Sequence, residues 1–208
     1  MKDKFTSISF LIVGVYYIIA EFIAVLKTNV PFIEAYSIHT ISELGVPIGD
    51  IYKGVASSYS PLFFFMNLAF ILLGIILFIG YNLSLKKHIN KNKLISHLLI
   101  ILTCIGAIFV GIFHADNPLF NDYHILGAVL SILCGNIFLI FISKFSSFNE
   151  NYKKISKYLG IIGLISACIM LILKLIILSN CNPVFERISV YTLIIWLIVT
   201  GIYLKIKK

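Results

Sequence analysis

The side chains able to do chemistry in this 208-residue sequence gather in a few places. His39 and Glu43 stand four apart in Ile38-His39-Thr40-Ile41-Ser42-Glu43-Leu44-Gly45, so a helix there puts both on one face. His114, Asp116 and Asn117 form a second cluster, and Asn121, Asp122 and His124 follow directly. Glu186 and Arg187 stand together near the C-terminus. Imidazole and carboxylate are the ligands that Zn²⁺, Mn²⁺ and Fe²⁺ sites use, and they are equally the groups of general acid–base catalysis. One reading is therefore a divalent metal such as Zn²⁺ held by His39, His114, Asp116 and His124. Ser42 and Glu43 would be its catalytic assistants, and water would be activated against a lipid ester or phosphoester. The other reading is binding alone. His39, Ser42, Glu43, Asn117, Glu186 and Arg187 then meet a lipid headgroup, with Arg187 clamping a phosphate or carboxylate or simply pairing with Glu186 or another acid.

Spacing does not choose between these readings. No HExxH helix and no CxxC pair occurs, and helix-capping preference alone accounts for Asn121 and Asp122. A hydrolase needs ligands, an open coordination position and a base. A headgroup site needs only a few donors and acceptors, so the non-catalytic reading is preferred.

The elements that must position these residues are apolar helices. The chain is 60% hydrophobic and 12% charged, with a mean hydropathy of +1.01; soluble domains carry about a quarter charged residues. Six stretches are long enough to cross a hydrocarbon core as helices, at about residues 8–26, 61–83, 94–113, 125–142, 158–178 and 188–204. Barrel strands alternate apolar and polar residues, and these runs do not. The first stretch is too long for a signal-peptide core, contains Glu21 and is followed by no small-residue cleavage site, so it is expected to be a retained helix. The expectation is an all-α, polytopic bundle of six transmembrane helices, a single domain over residues 1–208 in the cell membrane.

Charge placement gives the orientation. The net charge is +8, and the lysines cluster between the apolar runs. They occupy the N-terminus, residues 86–93, residues 144–157 and the C-terminus, whereas the opposite loops hold only Lys27, Lys53 and Arg187. The positive-inside rule then puts both termini in the cytoplasm. No basic stripe interleaves with aromatics, which argues against nucleic acid as a partner and leaves membrane lipids. Nothing in the sequence speaks to oligomeric state. The longest loop, at about residues 27–60, is placed outside, broken by Pro31, Pro47 and Pro61, with a short helix expected over residues 36–44. Six acidic residues, Glu34, Glu43, Asp50, Asp116, Asp122 and Glu186, and three histidines, His39, His114 and His124, fall on this outer side, where an outward-facing polar pocket is expected. Glu21 and Lys174 lie within helices at similar depth and are a candidate pair. Asn67, Asn82 and Asn136 are candidates for hydrogen bonds between helices, and Gly74, Gly106, Gly111, Gly127 and Gly163 for close helix approach. Of the four cysteines only Cys181 lies in a loop, so no disulfide framework is expected.

Several of these motifs, in this order, resemble the membrane family known as domain of unknown function 998. They are His39-Thr-Ile-Ser-Glu-Leu-Gly45, Pro61 with Asn67, Val110-Gly-Ile-Phe-His-Ala-Asp116, His124-Ile-Leu-Gly-Ala128, and Glu186-Arg187 followed by Trp196. The similarity spans nearly the whole chain. The turn after the third helix departs from the family's Phe-Pro-x-Asp pattern, because His114 stands at the proline position. More distantly, Ile41-Ser-Glu-Leu-Gly45 resembles the Ile-Ser-x-x-Gly loop of the Frag–DRAM–Sfk group of six-helix proteins. That resemblance implies lipid remodelling or membrane trafficking; the first implies the six-helix fold and no settled activity.

Overall fold

The computed structural model describes residues 1–28, 30–37, 39–46, 60–113, 115, 121–177 and 183–206. His114, Asp116, Asn117 and Cys181 lie outside the described residues, and so does the side chain of Lys174. The described helices are α1 (Lys2–Leu26), α2 (Phe32–Ser37), α3 (Phe63–Leu83), α4 (Lys93–Ile112), α5 (Asn121–Phe145), α6 (Glu150–Ile177) and α7 (Pro183–Ile206). Single 3₁₀ turns occur at Ser42–Gly45 and Leu85–His88. All but α2 are long and apolar enough to span a membrane, and the chain is a multi-pass integral membrane protein.

Several of these helices run past the apolar stretches that announce them. A helix need not end where the hydrocarbon does, and local signals carry it on. At α6 the Asn149 side chain accepts from the Tyr152 N–H at 2.9 Å, which starts the helix eight residues before the apolar run. At α7 Pro183 takes the first turn, where a missing N–H costs nothing.

Each spanning helix packs on the next in the sequence, and α1 closes the ring by packing on α7. The interior is aromatic and aliphatic. Trp196 is fully buried, with Phe138 edge-on at 5.7 Å and Phe10 at 6.4 Å. Lipid tails are as apolar as leucine, so burial of apolar surface alone does not hold helices together in a bilayer. Close packing and hydrogen bonds do. Gly106 and Gly127 let α4 and α5 touch backbone to backbone, since a Cβ on Gly106 would stand 2.6 Å from the Gly127 carbonyl oxygen. Asn136 on α5 donates to the Ser189 carbonyl at 2.9 Å and accepts from Thr192 at 2.7 Å, both on α7. Ser7 donates to the Gly201 carbonyl at 2.7 Å and Trp196 to Ser156 at 3.1 Å, which tie α7 to α1 and α6. Of the three asparagines, Asn136 bridges helices, Asn82 donates within its own helix to Phe78, and Asn67 donates to the Gly45 carbonyl beyond the helices.

The lysine-rich end is compact. The segments after α3 and α5 pair through one antiparallel bridge between Ile89 and Ser146, with N–H donations from Asn90 to Phe145 and from Ser147 to His88. Asp3 at the start of α1 accepts from Lys87 at 2.7 Å and Ser84 at 2.5 Å.

Candidate functional site

The other end of the bundle holds a buried charge network. Glu21 sits on α1 with no exposed surface, and Arg187 on α7 is 5% exposed. Ring closure brings them together: Arg187 Nε donates to one Glu21 oxygen at 2.9 Å, and the Tyr191 hydroxyl donates to the other at 2.7 Å. The guanidinium has further work. Nη1 donates to the carbonyls of Tyr36 and His39, at 3.1 and 2.7 Å, and Nη2 to that of Ala35 at 3.3 Å. It also lies 4.8 Å from the centre of the Tyr36 ring. Burial first, and then the Glu21 carboxylate, hold the Tyr36 phenol above its ordinary pKa, so the ring stays neutral beneath the cation.

This network explains why the segment after α1 is not the single helix expected over residues 36–44. The structure has α2 ending at Ser37 and a separate 3₁₀ turn beginning at Ser42. Carbonyls at a helix end need donors. Here Arg187 supplies them to Ala35, Tyr36 and His39, in place of the amides of a continuing helix. His39 and Glu43 still meet across the break, with Nδ1–H donating to the carboxylate at 2.6 Å.

Glu186 faces the other side of the same segment. Its oxygens accept from the Ile41 N–H and the Ser42 hydroxyl, both at 3.0 Å. It also borders a cavity of about 280 Å³ between α5, α6 and the 40–43 segment. The polar end of that cavity is formed by Thr40, Ser42, Glu43, Asn121, His124 and Glu186. Its apolar wall includes Ala128 and Ile132 of α5 and Ala167 and Met170 of α6. Val129 and Leu171 line it too, and both are about half exposed on the outside of the bundle. The cavity is therefore bordered by side chains of the bundle's outer surface between α5 and α6. His124 is buried, and its Nδ1–H donates to the Phe113 carbonyl at 2.7 Å, which fixes the ring against the end of α4.

Of the residues singled out from the sequence, Ser42, Glu43, Asn121, His124 and Glu186 share this cavity. His39 stands behind Glu43, and Arg187 binds the back of the same segment. The proposed metal set cannot be assembled from what is described, because His114 and Asp116 lie outside it. Among the described residues no group of three histidine, cysteine or acidic side chains is placed to hold a metal ion. Glu21 has Arg187 as its partner. Sequence reasoning passed over Tyr191, which stands one helical turn from Arg187 on the same face of α7, a spacing that carries a signal. It also passed over Ala128, Ile132 and Met170, which no signal distinguishes from lipid-facing or core residues.

A family model described as protein of unknown function (DUF998) matches residues 11–203. No curated protein and no solved structure matches the chain.

Proposed function

The chain belongs to the DUF998 family of proteins of unknown function, and from that premise we propose that it binds the headgroup of a membrane amphiphile in the cavity between α5 and α6, as a lipid-handling or lipid-sensing protein. The observation that carries this reading is the cavity's two-part wall: apolar side chains that reach the lipid-facing surface, and carboxylates, hydroxyls and an imidazole at one end. Ligand sites commonly combine a largely apolar pocket with a few convergent polar groups. A hydrocarbon chain can lie along Ala128, Val129 and Ile132 while its head meets Ser42, Glu43 and Glu186. Asn117, which precedes α5 in the sequence and lies outside the described residues, is proposed as a further headgroup contact. The topology proposed with it has both termini in the cytoplasm and the cavity end on the outer side of the cell membrane, because the lysines crowd the opposite end. The metal-dependent hydrolase is the competing reading, and metal analysis of the purified protein separates the two.

The test is to fill the cavity. Ala128→Phe adds a ring to the α5 wall. Native mass spectrometry of the protein extracted from its own membranes should show a bound amphiphile on the unaltered chain and none on the variant, at similar thermal stability. Equal retention by both would overturn the reading.

A further inference from the structure

Among the described residues the cavity's charge is one-sided. Its charged lining residues, among those described, are Glu43 and Glu186, and no described lysine or arginine borders it. The nearest guanidinium, Arg187, is committed elsewhere. It donates to Glu21 and to three main-chain carbonyls on the far side of the 40–43 segment. Swinging it toward an anion in the cavity would leave the Glu21 carboxylate buried without its counter-charge, a costly state. A phosphate or carboxylate headgroup would then face the carboxyl groups of Glu186 and Glu43, the second shared with His39, across an apolar wall where water screens little. We infer that the amphiphile carries a cationic head, a protonated amine, an inference that rests on the cavity being a ligand site.

The acceptors suit that head. An ammonium brings three N–H donors and no acceptor. Glu186 is 9% exposed and takes one hydrogen bond on each oxygen, from Ile41 and Ser42, leaving further lone pairs on a carboxylate that can accept about four. Asn121 borders the cavity, and its buried side-chain oxygen has no hydrogen-bond partner among the described residues. Thr40, which carries a hydroxyl, lies on the same wall. Three oxygens of these types match three donors. A hydroxyl head would satisfy fewer of them, and an anion none.

The experiment offers detergent-solubilised protein an equimolar mixture of tetradecylamine, tetradecanol and tetradecanoate, which share a chain length and differ in head charge. Adducts are counted by native mass spectrometry, and those that also form on Ala128→Phe are subtracted as non-specific. The amine adduct should exceed the tetradecanoate adduct about tenfold or more, a difference of 1.4 kcal/mol in affinity. Glu43→Gln and Glu186→Gln should each erase most of that preference without lowering the melting temperature below that of Ala128→Phe. If the acid or the alcohol forms the cavity-specific adduct as well as the amine does, the cationic head is wrong and the cavity reading stands. If no adduct differs between the unaltered protein and Ala128→Phe, both fall.

Discussion

Helix α1 carries an ion pair near each of its ends, and the two could hardly differ more in setting. Asp3 and Lys87 meet at 2.7 Å with side chains 41% and 52% exposed, whereas Glu21 and Arg187 meet at 2.9 Å with side chains 0% and 6% exposed. At the lysine-rich end the connections are short and their main chains pair with one another through the Ile89–Ser146 bridge, so the structure asks little of its charges there. At the other end a long segment must be held over the bundle, and Arg187 satisfies its carbonyls while Glu21 balances the arginine. Buried charge is expensive and seldom justified by stability alone. Here it fixes the position of Thr40, Ser42 and Glu43, which form the polar end of the cavity. On the proposed reading the two ends divide the labour: the lysine-rich end sets topology, and the other shapes the cavity.

Substitutions at the two pairs should separate them. Arg187→Met is expected to have the largest effect, a loss of about 3–5 kcal/mol, because it leaves Glu21 buried and unpaired. Thermal unfolding in nanodiscs reads it, and faster proteolysis within residues 30–46 should accompany it. Adding Glu21→Gln should recover only part of the loss, since the carbonyls of Ala35, Tyr36 and His39 still lack their donor. Full recovery would mean that the pair matters as a pair and not as a staple for the segment. Asp3→Asn should cost less than about 1 kcal/mol, as exposed ion pairs do, and the cost should shrink further in high salt. A loss at Asp3 as large as that at Arg187 would break the comparison. The last variant tests orientation without disturbing the fold. Lys91→Cys in intact cells should resist a membrane-impermeant maleimide and react only after permeabilisation, and strong external labelling would reverse the assignment of the two ends.

Much of this architecture is legible in the sequence, and the limits are physical. Six apolar runs suffice to number the spans, because lipid leaves a helix no other way to satisfy its backbone. Glu21 is marked as an interior group by its place within an apolar run. Its partner is not marked, because Arg187 lies 166 residues away and meets it only through closure of α1 on α7. The break between α2 and the 3₁₀ turn at Ser42 is equally a tertiary effect: local propensity favours one helix, and a distant guanidinium claims its carbonyls. Ser42, Glu43, His124 and Glu186 stand out by type, but the apolar half of the cavity does not. Ala128 and Ile132 follow the same pattern as residues that face lipid or core, and only packing distinguishes them.

The central claim is that lipid can reach the interior between α5 and α6, and Ile132 reports on it directly. Ile132 lines the cavity and is 8% exposed, while Ile142, on the same helix, is fully buried. With Cys104, Cys134, Cys168 and Cys181 replaced by alanine, Ile132→Cys and Ile142→Cys can be compared in phosphatidylcholine membranes using a lipid-soluble maleimide. Ile132→Cys should label readily and lose that reactivity when Ala128→Phe is added, with Ile142→Cys inert throughout. An Ile132→Cys as inert as Ile142→Cys would mean that the cavity is closed to the bilayer, and the proposed ligand would have no way in.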